Sequence, residues 1–106
     1  MRTVSSGPPG ERQAAARRDA AEAVGVEALG YLANDTDLLS RFLALSGADV
    51  SDLRSLAGQP GFLSGVLDFL CAHEPDLVAF AQAGDRTPEE VVAARHVLAG
   101  DHAGYD

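Results

Sequence analysis

The chain of 106 residues contains no lysine, no isoleucine and no tryptophan, and its eight basic residues are all arginine. It has a single cysteine, Cys71, so an internal disulfide is impossible and a disulfide-stapled scaffold is excluded. A reducing compartment is the natural setting for such a chain. No apolar run approaches the ~18 residues that a membrane-spanning helix needs. The start, Met1-Arg2, lacks the apolar stretch of a secretory signal, and Pro8 and Pro9 break the amphipathic helix that a transit peptide requires. The cytoplasm is therefore the expected location. Strict apolar–polar alternation is missing, as are the Asn-Gly and Asp-Gly hairpin turns, which argues against β-structure.

What remains is 46% apolar, enough for a globular chain. At this length one domain can form, burying roughly 60–68% of the surface its unfolded chain exposes. Sixteen acids against eight arginines leave a net charge of −8. The charge is uneven. Residues 1–18 hold four arginines and one acid, a local +3, whereas residues 19–106 hold four arginines and fifteen acids, a local −11. The body thus repels phosphate backbones, and nucleic acid is an unfavourable partner. Solubility is the ordinary role of such a charge.

Residues 1–13 read as a flexible basic leader, residues 14–99 as one helical domain, and residues 100–106 as a frayed tail. In the first predicted helix, packed over 14–33, Ala21, Val24, Ala28 and Leu32 recur at helical spacing. Gly25 and Gly30 read as points where a neighbour approaches closely. Asp35 or Thr36 caps a second helix near 36–46, whose apolar stripe is Leu38, Leu39, Phe42, Leu43 and Leu45. Gly47 suits its end. A short third helix follows Asp49 or Ser51 and stops at Gly58. The fourth, 60–73, is apolar almost all round, with a narrow polar strip of Ser64, Gly65 and Asp68, and should be the central buried element. Pro75 opens a fifth helix, with Leu77, Phe80 and Ala81 facing inward. Thr87-Pro88-Glu89-Glu90 forms a capping box at the start of a sixth, near 88–99, which Gly100 ends. The expected fold is all-α: a compact bundle of five to six short helices around the helix at 60–73.

Blocks at Leu29-Gly30-Tyr31-Leu32-Ala33, Arg41-Phe42-Leu43-Ala44-Leu45-Ser46-Gly47 and Asp52-Leu53-Arg54 carry a family likeness. It continues through Phe62-Leu63-Ser64-Gly65-Val66-Leu67-Asp68-Phe69-Leu70, Glu74 and Phe80. Over roughly residues 18–99 the chain resembles the short bacterial proteins, mostly alphaproteobacterial, of domain-of-unknown-function family 3572. The resemblance implies a small helical protein and brings no catalytic residue with it.

The chemistry must then be judged residue by residue. The corner at 36–57 has a helix-turn-helix layout, with Phe42, Leu53 and Leu56 inward and Ser51, Asp52, Arg54 and Ser55 outward. Asp49 and Asp52 sit where base contacts would form, so a plain helical corner is favoured. Any DNA affinity would come from the basic N-terminal segment and vanish on deletion of residues 1–18. Cys71 lacks an adjacent base, since His73 points elsewhere on a helix, and it reads as a small buried hydrophobe unless His96 or His102 reaches it. His73-Glu74-x-Asp76 and His96…Asp101-His102 do not match a metal-ligand spacing, and no phosphate-binding loop or nucleophile elbow is present. No cofactor, metal or catalytic residue is expected. Asp68, inside an apolar helix, needs a partner such as Arg41 or Arg54, or else serves as a polar anchor in a groove. The four phenylalanines read as core rather than a stacking platform.

The expectation is a non-enzymatic protein-interaction module. Its candidate contacts are Arg41, Phe62, Asp68 and Phe69, and its partner is a protein with a basic face. A homodimer follows if the fourth helix keeps an exposed apolar patch. The alternative is a DNA-associated regulator using the corner at 36–57.

Overall fold

A computed structural model describes residues 9–103, with side chains described for 12–59 and 61–100. These residues form α1 (Pro9–Ala33), α2 (Thr36–Ser46), a 3₁₀ turn (Val50–Asp52), α3 (Leu53–Leu56), α4 (Pro60–Cys71), α5 (Glu74–Ala83) and α6 (Pro88–Ala103). Among the described residues there is no strand, and the fold is an all-α bundle.

Local chemistry sets most boundaries. Asp35 caps α2 by accepting from the Leu38 N–H at 3.2 Å. Gly47 ends that helix at φ 77°, a left-handed conformation that glycine adopts without strain. Its N–H donates to the Leu43 carbonyl at 2.9 Å. Thr87 and Glu90 form the reciprocal box at α6: the Glu90 N–H donates to Thr87 Oγ1 at 3.1 Å, and the Thr87 N–H to Glu90 Oε1 at 2.9 Å. Pro60 and Pro75 occupy the first turns of α4 and α5, where a missing N–H costs no hydrogen bond.

Three boundaries differ from expectation. α1 begins at Pro9, so residues 9–13, expected in the leader, are helical, and residues 1–8 lie outside the described ones. Pro9 opens a helix rather than breaking one. Its side chains are partly covered at Ala14, Ala15 and Arg18, and the first buried one is Ala21. α6 runs through Gly100 to Ala103, because an exposed glycine without a following proline lowers helix stability but does not end the helix. Residues 100–103 of the expected frayed tail are thus helical. α4 stops at Cys71 rather than 73, since His73 takes the extended N-cap position of α5. The third helix is only four residues, preceded by the 3₁₀ turn.

α4 packs against α1, α6, α5 and α2 and carries the core. Leu63, Val66, Leu67 and Leu70 are buried on it. They meet Ala21, Val24, Ala28 and Leu32 of α1, Leu77, Phe80 and Ala81 of α5, and Val91, Ala94 and Leu98 of α6 in one cluster. α1 passes closest at Gly25, where an added Cβ would lie 2.9 Å from Leu63 Cβ and 3.4 Å from Leu98 Cδ1. Nothing lies within 4 Å of such a Cβ at Gly30, so the close approach expected at both glycines exists at Gly25 alone. Tyr31 meets Phe80 edge-to-face, ring centres 5.3 Å apart, and fixes α5 against α1.

Candidate functional site

One flank of α4 is left uncovered. Phe62, Gly65 and Phe69 lie three and four residues apart on that flank, opposite the buried Leu63, Val66, Leu67 and Leu70. Phe42 of α2 stands between the two rings, edge-on to Phe62 (5.6 Å, 72°) and to Phe69 (5.5 Å, 67°). Gly65 has no side chain, and nothing comes within 4 Å of where one would start. A hollow of about 470 Å³ results, with Leu45 and Ser46 of α2 completing one wall and Asp68 and Ala72 the other. Leu45 is 78% exposed on its rim, the most exposed large apolar side chain described.

This geometry corrects two expectations. α4 is not buried all round: Phe62 and Phe69 are half-buried walls of a groove. Ser64, Gly65 and Asp68 do not form a shared polar strip either, because Ser64 is buried while Gly65 and Asp68 line the groove. Phe42 and Phe80 are buried in the core, Phe62 and Phe69 pack half-buried against it, and Phe42, Phe62 and Phe69 line the groove.

Asp68 pairs with neither Arg41 nor Arg54. Its Oδ1 accepts from Arg95 Nε of α6 at 2.5 Å. That hydrogen bond, and then the carboxylate charge, hold the Arg95 guanidinium even more firmly protonated than usual. Arg41 lies over the Phe69 ring, its Cζ 5.7 Å from the ring centre. Arg41 Nη2 is also 3.6 Å from Asp76 Oδ2, which contacts His73 Nδ1 at 2.9 Å. So Phe62, Asp68 and Phe69 meet in one groove, and Arg41 flanks it over Phe69. The groove also uses Leu45, Ser46 and Gly65, which sequence reasoning did not select. The signal available was the width of the α2 stripe, broader than one core-facing face needs.

The remaining candidates fall elsewhere. Cys71 is partly buried against the core. Burial, foremost, pushes its thiol above the ordinary 9.0, Arg95 opposes that, and Asp68 adds to it. The charges acting on it are thus Arg95 and Asp68 rather than His96, which is exposed on α6. The His102 side chain lies outside the described ones. At the corner 36–57, Asp49 and Asp52 are both exposed at the start of the short helical segment, and Phe42 packs on Phe62 of α4. Among the described residues no three His, Cys, Asp or Glu side chains converge to hold a metal ion, and no helix is long and apolar enough to cross a membrane.

The fold and the groove define a class: an all-α helical bundle with an aromatic-walled surface hollow. Residues 18–101 match the model of a family described as protein of unknown function, DUF3572. The match spans most of the chain, and the protein belongs to that family. Neither the curated proteins nor the solved structures include a match to the chain.

Proposed function

We propose that this protein is a non-enzymatic interaction module whose α2–α4 groove receives an apolar anchor from a helix of a protein partner. The observation that carries the proposal is the hollow itself: three phenylalanines and a bare Gly65 hold open an apolar space, with Leu45 exposed at its edge. A groove of this kind suits an amphipathic helix that presents one or two large apolar side chains. The polar side chains on it are already tied. Asp68 is bonded to Arg95, and Ser46 Oγ donates to its own helix at the Leu43 carbonyl at 3.5 Å. No nucleophile–base pair faces the hollow, so the site favours binding over chemistry.

The net charge of −8 favours a partner with a basic face, which would speed encounter and help fix register. A single cysteine that forms no internal disulfide suits a reducing compartment, and the cytoplasm is part of this proposal.

Affinity capture from the protein's own cells tests the proposal, with the full chain compared against Leu45→Glu and Gly65→Leu. The first variant charges an exposed rim, and the second fills the hollow. The expected result is a protein retained by the wild type, released by raised salt and lost with both variants. Capture that is indifferent to both substitutions, or a wild-type bait that retains nothing, overturns it.

A further inference from the structure

The α2–α4 groove lies close to where the described chain stops. α4 and α6 run antiparallel. Asp68 meets Arg95, while Leu63 and Leu98 both come within 3.4 Å of the point where a side chain at Gly25 would begin. Going back along α4 from Asp68 is therefore going forward along α6 from Arg95. From Leu98 to its end at Ala103, α6 rises about 7.5 Å, which carries it level with the start of α4. Gly61 and Phe62, which line the groove, stand at that end of α4. The residues bordering this path are small: Gly61 and Gly65 on α4, and Ala99 one turn beyond Arg95 on α6.

The sequence goes on as Gly104-Tyr105-Asp106. Of the two tyrosines, Tyr31 is already engaged with Phe80, whereas Tyr105 follows the described residues. Two residues of extended chain span at most about 7 Å, to which the phenol ring adds its own length. The glycine between Ala103 and Tyr105 allows the chain to reverse at a helix end. The hollow, about 470 Å³, has the chemistry that a fourth ring needs. Phe62 and Phe69 stand edge-on to Phe42, and the space above Gly65 leaves room for another ring against them. The hollow opens at the surface, so a tyrosine hydroxyl there keeps its water while the ring is covered. A group tethered this closely meets the hollow at an effective concentration on the order of millimolar, so a weak contact is enough to fill it.

We propose that Tyr105 turns back into the α2–α4 groove and fills it in cis, so that a partner's apolar anchor must displace it. This rests on the reading of the groove as a receptor for such an anchor, and it makes the site self-covered in the free protein. The same ring reaching in from a second copy is the competing arrangement, and dilution separates the two.

The test is nuclear magnetic resonance on the full chain, without any partner. With two tyrosines in the sequence, the spectrum of Tyr105→Ala assigns the Tyr105 ring. Nuclear Overhauser contacts are expected from that ring to the rings of Phe62 or Phe69. They should persist on about tenfold dilution, as an intramolecular contact must. Tyr105→Phe should keep them, and Gly65→Leu, which fills the hollow, should abolish them. The Tyr31–Phe80 contact lies outside the groove and reports that each variant is folded. A Tyr105 ring without contacts to either phenylalanine, contacts that fade on dilution, or contacts that survive Gly65→Leu overturn the proposal. Contacts present in a chain that captures no protein leave Tyr105 in the groove and remove the partner alone. Contacts absent from a chain whose capture depends on Gly65 remove Tyr105 alone.

Discussion

Gly25 and Gly30 sit five residues apart on one helix, and their surroundings give opposite consequences. A methyl group at Gly25 would press on Leu63 Cβ at 2.9 Å, an atom fixed to the α4 backbone that cannot swing aside. The helices would have to separate where α1, α4 and α6 meet. Gly25→Ala should therefore destabilise the fold by about 1–3 kcal/mol despite alanine's better helix propensity. At Gly30 a methyl group meets nothing, and Gly30→Ala should stabilise by about 0.5–1 kcal/mol. Thermal unfolding of the two variants beside the wild type checks the signs, and a melting temperature raised by Gly25→Ala would contradict the close approach. The sequence marks both as helical glycines and cannot separate them, because the difference lies in Leu63 and Leu98, 38 and 73 positions away. The same limit hides the partner of Asp68. A carboxylate on an apolar helix announces that it needs a cation, but Arg95 is 27 residues distant and is chosen by the way α6 crosses α4.

Elements are more legible than contacts, because caps and apolar periods are local. Asp35, Gly47 and Thr87 all take the terminal roles that their chemistry suggests. Where two signals compete, local reading loses. Pro9 both breaks and opens helices, and Gly100 both ends and tolerates them, so the limits of α1 and α6 extend beyond expectation. The groove was half legible. Phe62, Asp68 and Phe69 share a flank by spacing alone, but that the flank forms a groove depends on where α2 sets Phe42, Leu45 and Ser46 against it. The capping box of α6 offers a direct measurement. Thr87→Ala removes the acceptor of the Glu90 N–H and should cost about 1 kcal/mol, whereas Thr87→Ser keeps the oxygen and should cost less. Urea unfolding should show a lower midpoint with an unchanged slope for Thr87→Ala, since the loss falls on the folded helix end and not on the area exposed. Equal stability of wild type and Thr87→Ala would mean that the box adds nothing to a helix already held by Val91, Ala94 and Leu98.

The whole molecule has two regimes of order, set by where its core ends. Around α4 every neighbouring helix contributes buried side chains, and Leu67, Leu70, Leu98 and Leu32 have no solvent exposure. These residues unfold together or not at all, so their amides should exchange with solvent only through global opening. Before Ala21 no side chain described on α1 is buried, and the amides there should exchange through local fraying at far lower free energy. Leu67→Ala separates the two regimes. Removing a fully buried leucine side chain typically costs about 2–5 kcal/mol, a large share of the roughly 5–15 kcal/mol that holds such a domain. Hydrogen exchange should show the protection of α4, α6 and the second half of α1 falling together by that amount. Residues 12–20 should exchange as they did before. If residues 12–20 instead lost protection in step with α4, they would belong to the core's cooperative unit.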